Sequence, residues 1–355
     1  MRDASFGLFI GGALAALVLT AAMPAGAAEA PSFKDKTLTM IVGDTPGGGT
    51  DAFARLAAAH LGLTLPGKPT FIVRNMPGAG GVVALNFFAN QVKPDGLTVI
   101  TGSGTQSDPL HYRAVNALYD LAKLEFLGGA ERAGTILLIS TEALPRLTDK
   151  AQAPVTMGAL TAIRSGMQMT LWGTEYLGWN TRWVTGYAGN SELLLALERG
   201  EFDMTSLSDP DKARELIATG RFQALAQSGA LVDGKLAPQP AFGSAPLLSE
   251  LIGARITAPV ARTAFEYWKN ITLVGQWLAL PPGTPQQAVA AYRSAFHATM
   301  LDPDFRRTAI KIDPGLVEMS PADVLDLMQR LAATPQEALD YMQTLQKKQG
   351  LHSGD

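Results

Sequence analysis

The sequence predicts an α/β fold with a largely parallel sheet. Three observations carry that expectation. Short apolar runs alternate with helix-like runs along most of the chain. Glycine-rich turns join a strand-like run to a helix-like run twice in succession, as adjacent parallel strands require. The C-terminal part carries repeated proline-marked helix starts.

Residues 38–42 read as the first strand and 52–61 as the helix after it, with Pro46-Gly47-Gly48-Gly49-Thr50-Asp51 between them. The arrangement then recurs: strand 70–73, the turn Asn75-Met76-Pro77-Gly78-Ala79-Gly80-Gly81, and helix 82–91. A third strand, 97–101, follows the turn signal Lys93-Pro94-Asp95-Gly96. Gly102-Ser103-Gly104-Thr105 marks the expected crossing into a second unit. There, 124–128, 136–140, 155–160, 182–185 and 202–207 read as strands, and 172–176 and 191–199 as helices. Gly200 sits at the C′ position of the second of these helices. Asp209-Pro210 supplies an N-cap with proline at N1, and Gly220 closes that helix.

Residues 222–227 read as a strand returning to the first unit, 232–246 as loop, and 271–280 as strand-like in its later half. Thr284-Pro285-Gln286-Gln287, Ser320-Pro321-Ala322-Asp323 and Thr334-Pro335-Gln336-Glu337 each offer a hydroxyl N-cap, proline at N1 and an acid or amide at N3. Asp302-Pro303 is a further start. Val289, Tyr292, Phe296 and Met300 form one apolar stripe, and Val324, Leu327, Met328 and Leu331 another; both are expected to pack into a core.

The chain has 355 residues, room for two domains. Its 47% apolar and 17% charged residues describe a globular protein. A net charge of −3 gives no electrostatic reason to expect nucleic acid as a partner. With no cysteine, disulfides, thiolate metal sites and a cysteine nucleophile are excluded. The four histidines, 60, 111, 297 and 352, show no metal-ligand spacing, and no metal or cofactor is expected. Residues 6–20 are almost wholly apolar, and Ala25-Gly26-Ala27 fits the small-x-small rule, so 1–28 are expected to be a signal peptide cleaved after Ala27 or Ala28. No later stretch is long and apolar enough for a membrane span. An exported, soluble, monomeric protein is the expectation.

The glycine turns carry the chemistry. Glycines between strand and helix leave backbone N–H groups uncovered, and a helix N-terminus adds its positive dipole end at the same place. Two such turns at one sheet edge would make two cradles facing one small anion, a carboxylate or phosphate. The expected contacts are Thr50 and the amides of Gly48, Gly49, Ala79 and Gly80. Enzyme alternatives find little support. Gly78-Ala79-Gly80-Gly81-Val82-Val83-Ala84 departs from the dinucleotide fingerprint at Val83, and no acid closes the following strand. Neither glycine cluster is a P-loop. No G-x-S-x-G occurs, and no histidine is close in sequence to either loop. An enzyme binding a phosphate-bearing cofactor and a solute-sensing receptor remain the alternatives.

These turns also carry a family resemblance. Pro46-Gly47-Gly48-Gly49-Thr50-Asp51, Asn75-Met76-Pro77-Gly78-Ala79-Gly80-Gly81 and Lys93-Pro94-Asp95-Gly96 resemble the substrate-binding proteins of tripartite tricarboxylate transporters, the TctC or Bug-type periplasmic receptors. The likeness continues at Val184-Thr185-Gly186-Tyr187-Ala188-Gly189, Leu197-Glu198-Arg199-Gly200-Glu201-Phe202-Asp203, Trp277, Pro281-Pro282-Gly283-Thr284-Pro285 and Leu301-Asp302-Pro303-Asp304-Phe305. It implies a two-lobed, type II periplasmic-binding-protein architecture closing on its ligand. Lobe 1 would comprise 31–103 and 226–355, and lobe 2 104–225, with crossings near 102–105 and 224–227. It further implies that the glycine loops hold one carboxylate of an organic acid, with ordered water helping. The loaded receptor would deliver its ligand to a membrane permease. Carried onto this chain, the candidate ligand-binding residues are Thr45, Gly48, Gly49, Thr50, Asp51, Gly78, Ala79, Gly80, Gly81, Arg164, Ser165, Gly166 and Tyr187.

Three departures bear on ligand identity. Gly43-Asp44-Thr45 stands where the family usually has a Pro-Phe-Ala-like run, which puts a carboxylate near the anion site. Met76 stands where an arginine is common. The second-lobe loop reads Thr161-Ala162-Ile163-Arg164-Ser165-Gly166-Met167-Gln168-Met169 instead of a small Ser/Gly-rich loop with a histidine. The glycine loops can neutralise one carboxylate only. A diacid would need a second anchor, and Arg164 is the candidate for it, since guanidinium pairs with a carboxylate bidentately. The competing reading of Arg164 is a solvated surface arginine.

Overall fold

The structure, a computed structural model, describes Met1 and residues 31–115, 117–131, 134–159, 167–187, 190–232, 235–312 and 316–351. The body of the expected signal peptide, 2–28, lies outside the described residues.

Strands β1 (Thr37–Val42), β2 (Thr70–Asn75), β3 (Thr98–Ser103) and β4 (Glu125–Glu131) open the chain. Strands β5 (Ile136–Ser140), β6 (Val155–Gly158), β7 (Thr181–Val184), β8 (Met204–Leu207) and β9 (Phe222–Gln227) follow. A short hairpin, β10 (Ala230–Val232) with β11 (Lys235–Ala237), precedes β12 (Val274–Leu280) and β13 (Val317–Met319). Two larger sheets result, ordered β13-β4-β12-β3-β1-β2 and β7-β6-β8-β5-β9. Helices flank both, so the α/β expectation with parallel-rich sheets holds.

In the first sheet β1 pairs in parallel with β2 and β3, while β12 runs antiparallel to β3 and β4. Strands β1 to β4 therefore point the same way, and their carboxyl ends share one edge. Val42 is level with Asn75, so β1 and β2 release their glycine loops side by side. In the second sheet β6 is parallel to β7 and β8, and β5 is antiparallel to β8 and β9.

Alternation along β1 decides what each face meets. Leu38, Met40 and Val42 join Phe53, Ala57 and Leu61 of helix α1 (Gly49–Thr64) in one core, with Val289, Tyr292 and Phe296 from the helix Gln286–Leu301. Ile41 points to the opposite face, where α2 (Val82–Gln91) contributes Ala84, Leu85 and Phe88 to a second core that runs on into the other sheet. Trp172, Trp268 and Trp277 are fully buried in that second core. The aromatic cluster of Trp172, Phe265, Trp268 and Tyr341 packs the helix Met169–Tyr176 against the helices Pro259–Leu273 and Gln336–Lys348.

Three expectations change. First, β4 belongs to the first sheet, so the chain passes between sheets at 131–136 and not at 102–105. The other passage follows β9, where Ser228 N donates to Thr135 O at 2.9 Å and Thr135 N to Ser228 Oγ at 2.9 Å, so the two passages lie together. Gly134 and Gly229 have φ of +81° and +82° there, and a Cβ on Gly134 would crowd the Gly229 carbonyl.

Second, the segment 232–246 is not all loop. It holds β11 and a 3-10 turn at Pro240–Phe242, organised by the buried Gln227 amide, which donates to Ala245 O at 2.7 Å and accepts from Gln239 N at 2.6 Å.

Third, Thr284 and Thr334 are not N-caps. Pro285 and Pro335 themselves stand at the cap positions with extended ψ of 131° and 148°, and the threonine hydroxyls bond backward to Pro281 O and Arg330 O. Ser320 and Asp302 do cap their helices, accepting from Asp323 N and from Asp304 N and Phe305 N. Ser320→Ala should therefore cost about 1 kcal/mol in chemical denaturation, against a few tenths for Thr334→Ala. Equal losses would remove the distinction.

Candidate functional site

The first cradle is the open N-terminus of α1. Gly48 is its N-cap, and no side chain caps the helix there. The N–H groups of Gly49 and Thr50 stand in the first turn, where helical geometry provides no acceptor. Thr45, Gly48 and Gly49 are exposed and Thr50 is half-buried. A Cβ on Gly49 would meet nothing within 4 Å, so open space begins at this backbone.

The second cradle is more constrained. Gly78, Ala79, Gly80 and Gly81 all have positive φ, at 146°, 45°, 59° and 92°. Ala79 is thus a non-glycine residue held in the left-handed region, which needs support. That support comes from α4 (Pro109–Ala114), whose His111 places Nε2 3.1 Å from the Ala79 carbonyl oxygen. Gly80 packs on the same imidazole, and a Cβ there would land on the ring. Gly81 N donates to Gly78 O at 2.9 Å, so its amide is spent inside the loop. The N–H groups of Ala79 and Gly80 open the short 3-10 turn Ala79–Gly81 and have no helical acceptor.

Asp51 ties the two cradles together. The residue is 3% exposed. Oδ2 accepts from Gly47 N and from Arg55 Nε, each at 2.9 Å, and Oδ1 accepts from Asn75 Nδ2 at 2.8 Å. Asn75 Nδ2 also donates to Asp44 O at 3.0 Å, and Arg55 Nη2 reaches Asn75 Oδ1 at 2.9 Å. Arg55 above all, with Gly47 and Asn75, holds the Asp51 carboxyl at about 2, against the opposing effect of burial. Both oxygens are engaged by protein donors. Through these bonds Asp51 ties the first glycine loop to Asn75, at the start of the second.

Under the second cradle, α3 (Gly104–Ser107) begins at Ser103, the end of β3. The Ser103 N–H and hydroxyl both donate to Gln106 Oε1, at 2.8 and 2.6 Å. Asp108, buried, accepts from Tyr267 OH at 2.6 Å and from Leu110 N at 2.8 Å, which anchors α4 and with it His111. Burial raises the Asp108 carboxyl. Arg113 of α4 donates to Thr334 O and Ala332 O, at 2.8 and 2.7 Å, and fastens the other end.

Of the remaining candidates, Tyr187 follows β7 and packs half-buried against Phe202, ring centroids 5.3 Å apart. Arg164, Ser165 and Gly166 lie outside the described residues. Among the described residues no group of acidic or histidine side chains is spaced to hold a metal ion. Nor is any described helix long and apolar enough to cross a membrane. His111, Gln106 and Arg55 are site residues that the sequence alone does not single out. Only Gln106 leaves a local trace, as the last position of Ser103-x-x-Gln106, a capping-box pattern.

Two sheets with glycine loops at the carboxyl ends of parallel strands define a protein of the periplasmic-binding class of folds. The chain belongs to the tripartite tricarboxylate transporter receptor family, TctC, whose model matches residues 54–339. It is 28% identical over 297 residues to a UPF0065 protein of Bordetella pertussis, covering 80% of this chain and 82% of that one. Among solved structures, a TctC solute-binding protein from Polaromonas superposes with a TM-score of 0.65 at 19% identity, over 88% of this chain and all of that one. MatC from Rhodopseudomonas palustris, solved with malate, gives 0.55 at 20% identity over 85% and 98%. Another R. palustris protein, solved with adipate, gives 0.55 at 22% identity over 88% and 97%.

Proposed function

We propose that the protein is an exported receptor that captures a small organic acid by one carboxylate and delivers it to a tripartite tricarboxylate-type membrane permease. The observation that carries the reading is the pair of open N–H cradles on adjacent, level strands, locked to each other by Asp51 and Asn75. Backbone donors that need no reorganisation suit a carboxylate, and the α1 dipole adds to them. Family membership supports the transporter partner, and the malate and adipate bound by fold neighbours make diacids the first ligands to try. For a diacid, Arg164 serves as the second anchor. The role is one of binding, with no catalysis. Export follows from the apolar, small-residue-ended N-terminal segment. Closure of the two lobes on the ligand uses the paired passages at 131–136 and 227–231 as the hinge.

The test is calorimetry of the mature protein with malate, adipate, citrate and benzoate, with ATP as the phosphate-bearing control. Saturable binding of an acid without binding of ATP is expected. ATP binding alone would favour the cofactor-enzyme alternative.

A local test follows from the space around Gly49. A Cβ there meets nothing within 4 Å, and the branched side chain of valine would crowd the first-turn amides beside it. Gly49→Val should keep its melting temperature and lose about tenfold or more in affinity, roughly 1.4 kcal/mol. Gly80 is a poorer probe, because a side chain there strikes His111 before it meets ligand. Unchanged affinity in Gly49→Val would remove the first loop from the site.

A further inference from the structure

Gln106 is 1% exposed, and its side-chain Nε2 has no hydrogen-bond partner. The orientation of this amide is set chemically. Ser103 N–H is a donor only, so the atom facing it must be the oxygen, which leaves Nε2 on the other side. That other side faces the second glycine loop and the exit of β1. A Cβ on Gly81 would land on Nε2, and a Cβ on Gly43, at the exit of β1, would lie 3.4 Å from it and 2.8 Å from the Gly81 Cα. The amide therefore faces the seam between the β1 exit and the second glycine loop, with both of its N–H groups unanswered. A buried donor without an acceptor is costly, and most buried polar groups find one.

We infer that Gln106 is a ligand-positioning residue of the anion site: its Nε2 hydrogens are answered by a carboxylate oxygen of the bound acid, directly or across one water held in the seam. This assignment rests on the receptor reading above. It explains two sequence choices together. Gly81 is small because the amide occupies the space a side chain would take, and Gly43 because the Gly81 backbone does. The residue at 106 is an amide because Oε1 must accept at Ser103 while the other end must donate. In Gln106 the cap of α3 and the floor of the cradle are one group, so ligand contact at Nε2 is relayed to β3 through Ser103.

Gln106→Glu separates this role from a purely structural one. Glutamate is as good as glutamine at N3 of a capping box and keeps an acceptor for Ser103. It replaces the two N–H groups by an oxygen that repels an anion. Calorimetry against malate, adipate, citrate and benzoate should show affinity reduced about tenfold or more at pH 8, with partial recovery at pH 5.5 as the new carboxyl takes up a proton. The wild type should show no matching recovery. Ser320→Ala, which weakens a helix cap outside the site, should bind within about threefold of wild type. Wild-type binding that Gln106→Glu leaves unchanged at both pH values overturns the Gln106 assignment alone. Failure of the wild type to bind any acid of the panel overturns the receptor reading and this assignment with it. If Gln106→Glu unfolds at pH 8, Gln106→Met, which cannot donate, must show the same loss; intact affinity in that variant overturns the assignment.

Discussion

Asp51→Ala should lower the free energy of unfolding by about 2–4 kcal/mol at pH 7 and reduce acid binding below detection, because one carboxylate holds both halves of the site. The substitution removes the acceptor shared by Gly47 N, Arg55 Nε and Asn75 Nδ2, each now satisfied at 2.8–2.9 Å. It also removes a negative charge from the first turn of α1, where the helix dipole favours it. Loss of affinity should exceed what global stability explains, since the loops lose their mutual register even in molecules that stay folded. The pH dependence has a definite sign. The Asp51 carboxyl is depressed from 3.8 to about 2 in the folded protein, so its contribution is present in full above about pH 4. It is lost as pH falls through 4 towards 2. The ionisation itself accounts for about 1–2 kcal/mol of this, allowing for screening by nearby water. Urea denaturation of wild type and variant at pH 7 and pH 3 checks it: the gap should narrow at the lower pH. A constant gap would mean that the carboxylate acts by shape and not by charge.

What the sequence shows of this site is what local rules can encode. Glycine at a strand-to-helix junction is a local signal, and so is the order of apolar runs, so both cradles and most strands are legible. The strands 136–140 and 222–227 coincide with β5 and β9. The supports of the cradles are not legible, because they arrive from elsewhere in the chain. Nothing near His111 says that it will brace Ala79, and nothing near Tyr267 says that it will meet Asp108.

The misplaced crossing has a related cause. The cluster Gly102-Ser103-Gly104 looks like a hinge, but Gly102 is small because Trp277, its partner across β12, lays its indole where a Cβ would be. A glycine required for close packing and one required for backbone freedom look alike in one sequence. The helix Pro259–Leu273 has no polar N-cap, since Ala258 precedes its proline. Only the spacing of Ala261, Ala264, Phe265, Trp268 and Ile271 betrays it, and its end merges without a break into the apolar run of β12.

Where the chain passes between the sheets, Glu131→Gln should stabilise the protein at pH 8 and leave it nearly unchanged at pH 5. Glu131 ends β4 and is 3% exposed. Its Oε1 accepts from Leu231 N at 2.6 Å, which joins the two passages. Burial, with Asp323 adding to it, lifts the carboxyl from 4.5 to about 7 despite that hydrogen bond. An acid whose folded value is raised binds its proton more tightly when folded. Stability is therefore undiminished below about pH 4.5, declines as pH rises through 4.5 to 7, and stays at its lower level above. The full penalty is about 2–3 kcal/mol. Glutamine keeps the acceptor for Leu231 N and never ionises, so it recovers most of that penalty, less the cost of its own buried NH2; a net gain of about 1–2 kcal/mol at pH 8 is expected. Thermal melts of both proteins at pH 5 and pH 8 decide the matter. A variant less stable than wild type at pH 8, or a difference that does not change between the two pH values, would show that Glu131 is ionised at little cost and that its bond to Leu231 depends on the charge.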